Sequence, residues 1–446
     1  MDEDTLRGYR GRLKEKLESE KIGIGDLIKV EHQGESYEGI LMPRLESADE
    51  FHIVIKLKTG YNIGITFKEN MKITRLIEAK KPKFIPPPIP ESKPGLPKVS
   101  ILSTGGTIAS RIDYATGGVH AAISSRDLLS IVPELSEIAE VEGDILFSVF
   151  SENIEPKDWS TMAKRVANEI NSGTEGVVIT HGTDTMGYSA AALSFALSGL
   201  PVPVILVGSQ RSSDRPSSDA ASNLIASVSA AAQAPFAEVA LAMHETSSDD
   251  SIIFHRGTKV RKCHTSSRYA FQSVNSKPLA RFRDGRIEMV EKNFRLRGEG
   301  KLILRDKFDE RVALVKFHPG FEPEIIDWFV DEGYKGIILE GTGLGHVSSK
   351  CYKPIERAIK EGVIVCMTSQ CIWGRINMNV YSTGRELASL GVIPLEDMLT
   401  ETAFVKLIWA LSQSSSREEA LEMMTANIAG EFSSRTLYTW RWGHGF

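Results

Sequence analysis

Two short stretches place hydroxyl groups where they could attack a substrate. Residues 98–110 read Lys-Val-Ser-Ile-Leu-Ser-Thr-Gly-Gly-Thr-Ile-Ala-Ser, and residues 176–187 read Gly-Val-Val-Ile-Thr-His-Gly-Thr-Asp-Thr-Met-Gly. Each opens with an apolar run of the length and branching of a buried strand, and each then delivers threonine directly after glycine. Glycine lets backbone approach a ligand closely, and ligands bind at the carboxyl edge of open α/β sheets. Thr107 is therefore a candidate nucleophile, with Thr183 and the carboxylate of Asp184 presented at the same edge. Helix capping is the competing use for Thr107, Asp184 and Thr185. Two such loops on one edge make capping alone a poor account of both.

The elements that must hold these loops follow from the pattern after Lys98. Apolar runs at 99–102, 144–149, 176–180, 202–207, 238–242, 312–317, 336–339 and 362–367 are separated by helical stretches such as 159–171, 186–198 and 219–233. This alternation predicts a parallel α/β sheet. Residues 270–312 break the rhythm with two hairpin-like pieces, around Asp284-Gly285 and around Gly298-Glu299-Gly300. They divide an N-terminal α/β domain (99–295), which carries the site, from a smaller C-terminal α/β domain (310–435). Helices are expected from about Pro394 and Ser416, and an aromatic tail follows at 436–446.

The part before Lys98 is different. Residues 4–20 read as a charged, solvated helix. Short alternating segments at 26–30, 37–42, 51–57, 61–65 and 71–76 predict a small SH3-like β-barrel, completing a domain over residues 1–80. Residues 81–98 are a Pro-rich linker, with prolines at 82, 86, 87, 88, 90, 94 and 97. Such a segment is neither helix nor inner strand and acts as a semi-rigid spacer.

Composition narrows the function classes. A net charge of −5 over 446 residues argues against sequence-independent nucleic-acid binding across the whole surface. No apolar stretch approaches a membrane span and no leader pattern opens the chain, so a cytoplasmic protein is expected. Cys263, Cys351, Cys366 and Cys371 lack zinc-like spacing and read as reduced thiols. No His/Cys/carboxylate cluster points to a metal.

Ser-Thr-Gly-Gly-Thr-Ile-Ala at 103–109 and Ile-Thr-His-Gly-Thr-Asp-Thr-Met at 179–186 resemble the two signature motifs of the L-asparaginase family of threonine amidohydrolases, over roughly residues 97–430. The resemblance implies Thr107 as primary nucleophile and Thr183, Asp184 and Lys262 as a second hydroxyl-acid-amine set. It implies Tyr114 as the mobile-loop tyrosine, and Ser151 with Glu152 as holders of the substrate's α-carboxylate and α-ammonium. A threonine hydroxyl needs a base at neutral pH, and a desolvated lysine can supply one because burial disfavours its charged form. Asp184 would serve the substrate ammonium or orient the Lys262 and Thr183 pair. Backbone amides at Gly106 to Thr107 and Gly182 to Thr183 are candidates for holding a tetrahedral oxyanion. The sequence departs from the family's free bacterial enzymes at Leu344, where those enzymes have an asparagine that serves a neighbouring subunit. His181 and His318 are expected to be buried hydrogen-bonding groups.

The prefix of a small β-domain and a proline linker resembles that of the D subunits of archaeal glutamyl-tRNA(Gln) amidotransferases. This implies a glutaminase- or asparaginase-type subunit that releases ammonia from glutamine or asparagine for a kinase-like, tRNA-binding E subunit. That partner would bind ATP and Mg and most of Glu-tRNA(Gln), since this chain has no Gly-x-x-x-x-Gly-Lys loop and is expected to hold no cofactor. Pairing within a heterotetramer is implied as well. The alternative is a free cytosolic L-asparaginase.

Overall fold

The computed structural model describes residues 6, 8–32, 34–44, 49–59, 61–78, 95–106, 108, 110–112, 119–121, 132–211 and 217–436. Thr107, Tyr114, most of the proline linker and residues 437–446 lie outside the described residues. The chain divides into two compact units, residues 1–87 with 111–120, and residues 88–110 with 121–446.

In the first unit the helix Gly11–Ser19 buries Leu13 and Leu17. It is shorter than the charge pattern predicts, because Arg10 is already extended, with φ −141°. Five antiparallel strands follow: Leu27–His32, Glu35–Leu41, His52–Lys56, Asn62–Thr66 and Lys72–Ile77. Their spatial order is fourth, third, second, first, fifth. Alternation does the sorting: Ile28, Val30, Leu41, Ile53, Ile55 and Ile73 enter one core with Tyr9, while Lys29, Glu38 and Lys72 stay out.

The second unit is built on an eight-stranded mixed sheet. From one edge its strands are Arg286–Met289, Ala280–Arg283, Ser251–Arg256, Val239–His244, Val204–Val207, Gly176–Thr180, Lys98–Ser103 and Glu140–Ile145. The last five run parallel and the first three antiparallel, so the all-parallel expectation fails at one side. Only residues 245–250 join Val239–His244 to Ser251–Arg256, too short for a crossover helix, and the chain must turn back on itself.

Helices Pro156–Asn171 and Met186–Ala196 cover one face, and Ala220–Gln233 covers the other. Within strand 176–180, Val177 and Ile179 pack with the first pair, while Val178 joins the second layer. Burial on both faces is why this strand reads as a continuous apolar run.

The C-terminal part carries four parallel strands, Val312–Lys316, Gly336–Gly341, Ile364–Ser369 and Ile393–Pro394. Helices Glu324–Asp331, Tyr352–Lys360, Ser382–Leu390, Thr400–Gln413 and Arg417–Thr425 pack around them. Helix 400–413 joins this sheet to the larger one, stacking Trp409 on Phe195 at 5.6 Å between ring centres.

Three expectations shift. The run at 144–149 is not the strand; Glu140–Ile145 is, as an edge whose alternate acidic residues face out. The piece at 298–300 is no hairpin, because Ile303–Leu304 pairs with Leu197–Ser198 instead. Pro394 starts no helix; it sits on an edge strand, where a missing amide proton costs nothing, and the helix begins at Thr400. Among the described residues no helix is long and apolar enough to cross a membrane.

Candidate active site

Strands 98–103 and 176–180 are parallel neighbours in the register Val99 with Gly176 through Ser103 with Thr180. Their carboxyl ends therefore release the two glycine-threonine loops side by side. Thr104 fastens them together, donating from both its backbone nitrogen (3.1 Å) and its Oγ1 (2.9 Å) to the Thr180 carbonyl.

Beyond that point the loops touch through glycine. Gly106 has φ +83°, and a Cβ there would stand 2.5 Å from the Gly182 nitrogen and 2.7 Å from the His181 carbonyl carbon. A Cβ on Gly182 would meet Ser151 Cβ at 2.7 Å, and one on Gly208 would meet Thr183 Cγ2 at 2.8 Å. Ser151, Gly182, Thr183 and Gly208 thus close-pack at one edge.

The second loop is held rigidly. Thr185 does not cap helix 186–196 with its side chain; its Oγ1 donates to the Ser151 carbonyl at 2.6 Å, tying the loop to the turn Ser151–Asn153. His181 is fully buried, with Nδ1 2.6 Å from the Gly182 carbonyl and Nε2 2.8 Å from Ser189 Oγ. A carbonyl only accepts, so Nδ1 carries the proton and Nε2 accepts from Ser189, whose oxygen in turn accepts from Trp159 Nε1 at 3.0 Å. Burial pushes the His181 pKa down to about 4, so the ring stays neutral and this relay keeps its direction. His318, expected to be buried, is exposed, with Nδ1 3.0 Å from the Pro319 carbonyl. It stands at a strand-end turn, where the ring of Phe321 packs edge-on against it, 5.6 Å between centres.

Lys262 reaches the site from outside the eight-stranded sheet. It ends the strand Val260–Lys262, which forms a two-stranded ribbon with Phe271–Ser273. Its Nζ donates to Thr183 Oγ1 at 2.8 Å and to Asp184 Oδ1 at 2.7 Å. The lysine side chain is 14% exposed and the aspartate 69%. Hydroxyl, amine and carboxylate are thus brought together, with Asp184 turned to solvent and Lys262 screened from it. Ser151 is buried beside Gly182, and Glu152, the next residue, is exposed. The 2.8 Å separation of amine and hydroxyl is within proton-transfer reach. Among the described residues no group of histidine, cysteine and acidic side chains could hold a metal ion.

Several residues that shape the site carry no motif. Lys259 and Asp397 form a buried ion pair at 2.8 Å beneath the Lys262 ribbon. Burial pushes the Lys259 pKa down, opposed by the adjacent Asp397 carboxylate. His255 bonds Ser273 Oγ at 2.7 Å on the ribbon's other strand, and burial pushes its pKa down to about 3. Tyr188, at the start of helix 186–196, is pushed up to about 12 by burial and by Glu401. Pairs such as Lys259 with Asp397, 138 residues apart, leave no local signal. Leu344 lies in the loop after strand 336–341, its carbonyl accepting from the Asn377 amide at 3.0 Å.

Comparison with known proteins places these observations. Three family models match the chain: "Asparaginase, N-terminal" over residues 98–295, "Glutaminase/Asparaginase C-terminal domain" over 311–424, and "GatD N-terminal domain" over 22–76. The chain is 52% identical over 433 residues to the D subunit of the glutamyl-tRNA(Gln) amidotransferase of Pyrococcus abyssi, covering 96% of this chain and 99% of that one. It is 50% identical over 429 residues to the corresponding D subunit from Methanothermobacter thermautotrophicus, covering 96% and 98%. Among solved structures it is similar to the thermostable L-asparaginase from Thermococcus kodakarensis, with TM-score 0.70 and 32% identity over 76% of this chain and 100% of that one. L-asparaginase I from Vibrio cholerae gives TM-score 0.67 and 30% identity over 76% and 99%.

Proposed function

This chain belongs to the asparaginase family, in the form that carries the N-terminal domain of amidotransferase D subunits, and on that premise we propose that it is the ammonia-releasing subunit of a glutamyl-tRNA(Gln) amidotransferase. One observation carries this over a free asparaginase. The likeness to those D subunits runs through residues 22–76 as well as the enzyme body, whereas the L-asparaginase structures cover 76% of the chain.

The chemistry proposed starts with Thr107. Its hydroxyl oxygen attacks the side-chain amide carbon of glutamine or asparagine and gives up its proton to a base. The amide nitrogen takes a proton and leaves as ammonia, and water then cleaves the resulting ester to release glutamate or aspartate. Thr183, Asp184 and Lys262 form the set that moves protons, with Lys262 as the amine. The contacts of 2.8 and 2.7 Å from its Nζ support that assignment. For the amine to act as base, the bond to Thr183 must reverse, the hydroxyl donating to a neutral nitrogen. Ser151 and Glu152 are proposed to hold the α-carboxylate and α-ammonium, and Tyr114 to close over the nucleophile. The amides of Gly106 to Thr107 and of Gly182 to Thr183 would face the oxyanion.

The rest of the reaction belongs to a partner. A kinase-like E subunit is proposed to bind ATP, Mg and Glu-tRNA(Gln), in the cytoplasm, with two copies of each subunit in the assembly. This chain would need no cofactor of its own.

The test is ammonia release from glutamine and from asparagine, with and without the partner and Glu-tRNA(Gln). Release stimulated many-fold by both together is the expected result. Rates indifferent to them would return the protein to the free asparaginases.

A further inference from the structure

The ribbon that carries Lys262 is anchored outside the domain that carries the threonines. Its first strand is preceded by Lys259, whose Nζ donates to Asp397 Oδ2 at 2.8 Å and to the Asp397 carbonyl at 3.2 Å. Its second strand is followed by Asn275, whose Nδ2 donates to the Gly374 carbonyl at 2.9 Å and to the same Asp397 carbonyl at 3.3 Å. The Gly374 amide answers, donating to Asn275 Oδ1 at 2.8 Å. Both strands of the ribbon are therefore fastened, at their bases, to one residue of the C-terminal part.

Further contacts complete the anchor. Asp397 Oδ1 accepts from the Ser433 amide at 3.0 Å, and Ser433 Oγ donates to the Asn275 carbonyl at 3.1 Å. Arg375 Nη2 donates to the Ser433 carbonyl at 2.5 Å. Four residues beyond Asp397, Glu401 pairs with Arg261 Nε at 3.2 Å, next to Lys262 itself. The segment leading into helix 400–413 thus holds the ribbon at its root and beside its active end.

Stability is a poor explanation for this arrangement. Lys259 and Asp397 are 1% and 2% exposed, and burying two charges costs about as much as their attraction returns, so apolar replacements are often neutral or stabilising. What an ion pair adds over apolar packing is direction. We infer that Asp397 and Lys259 are a positioning pair, through which the C-terminal part sets the angle of the ribbon and hence the distance from Lys262 to Thr183.

The lever is short. From Lys259 to Lys262 is about 10 Å at the ~3.3 Å rise of a strand, so a tilt of about 6° at the root moves the lysine by about 1 Å. A misplacement of that size can cost on the order of 100-fold in rate while leaving the substrate's own contacts alone. The signature is a loss in kcat without a matching change in KM or in stability.

This positioning role rests on Lys262 being the active amine, and the experiment separates the two. The full chain would be compared with Lys259→Met/Asp397→Leu, Asp397→Asn and Lys262→Met, reading kcat and KM for ammonia release together with the melting temperature. The expected result for the double variant is a folded protein whose melting temperature stays near wild type, the loss of the Ser433 amide's acceptor offsetting what removal of two buried charges returns, with kcat reduced about ten- to a hundred-fold and KM within about twofold. Asp397→Asn, nearly isosteric, removes the ionic attraction and keeps one of the two acceptor oxygens that serve Lys259 and the Ser433 amide; it should lower kcat in the same direction, at a cost in stability that the melting temperature reads. Wild-type kcat in either folded variant, with Lys262→Met inactive, would overturn the positioning role alone. Full activity in Lys262→Met would overturn the role of the amine and the positioning role with it.

Discussion

Replacing Gly106 by alanine tests whether the two threonine loops must touch. The new Cβ would stand 2.5 Å from the Gly182 nitrogen, and ordinary contact begins at 3.4 Å, so one loop must retreat by about 0.9 Å. Backbone is what it meets, so no side chain can swing aside. The left-handed φ of +83° adds roughly 1–2 kcal/mol of strain. The retreat displaces the neighbouring Thr107, or Thr183 through Gly182, and a shift of this size predicts about a hundredfold loss of kcat. Gly173→Ala is the matched control: its φ is +95° but nothing lies within 4 Å of its Cβ. It should lose only the strain's share of the stability in a urea titration and no activity. Initial rates of ammonia release at saturating glutamine or asparagine would give kcat for both. A Gly106→Ala enzyme keeping more than about a tenth of wild-type kcat would refute the claim that close approach of the loops sets the reacting geometry.

Thr107→Val and Thr183→Val should each abolish amide hydrolysis in a folded protein; more than about a tenth of the rate remaining in Thr107→Val would exclude it as nucleophile. Lys262→Met should cost roughly 100- to 10,000-fold in kcat, and Lys262→Arg should not restore it, since a guanidinium keeps its charge; an active arginine variant would make the role electrostatic. Acid should destabilise the fold early: His181 and His255 fall from 6.5 to about 4 and about 3, so the unfolded chain takes up protons first as pH drops below 6.5. That costs about 2 kcal/mol each by pH 5, and a urea midpoint flat from pH 7 to 5 would contradict it. Ser189→Ala leaves Trp159 Nε1 and His181 Nε2 without their shared partner and should cost about 1–3 kcal/mol, measured by the same titration.

What the sequence disclosed and what it hid follow from the range of the interactions involved. Strand 176–180 was legible because burial on both faces writes a continuous apolar run, and the small domain's strands because one-sided burial writes alternation. The edge strand 140–145 was misplaced because its exposed positions hold Glu140, Glu142 and Asp144, which look like loop. Thr183 and Asp184 stand beside their glycine and announce themselves. Lys262, 79 residues from Thr183, is visible in sequence through its resemblance to the family and is brought there by a ribbon whose sequence has no periodicity of its own. Lys259, Asp397 and Asn275 are ordinary residue types made special only by what meets them across the fold.

Long-range contacts of this kind also tie the C-terminal part to the candidate site, although it contributes none of the motif residues. A threonine on a glycine loop can be placed by its own strand, since the register of two parallel neighbours fixes both loops relative to each other. An amine that must approach the second threonine from outside that pair cannot. It stands on a two-stranded ribbon, and an isolated pair of strands is marginal unless another element braces it. The brace here is Asp397 with Glu401, on the segment that opens helix 400–413, and that helix packs through Trp409 onto Phe195 of the helix beginning just after Thr185. The threonine loop and the lysine ribbon are thus both referred to helix 400–413, one through stacked rings and the other through an ion pair. Their separation, 2.8 Å between Nζ and Oγ1, is the small remainder of two longer paths through the C-terminal part.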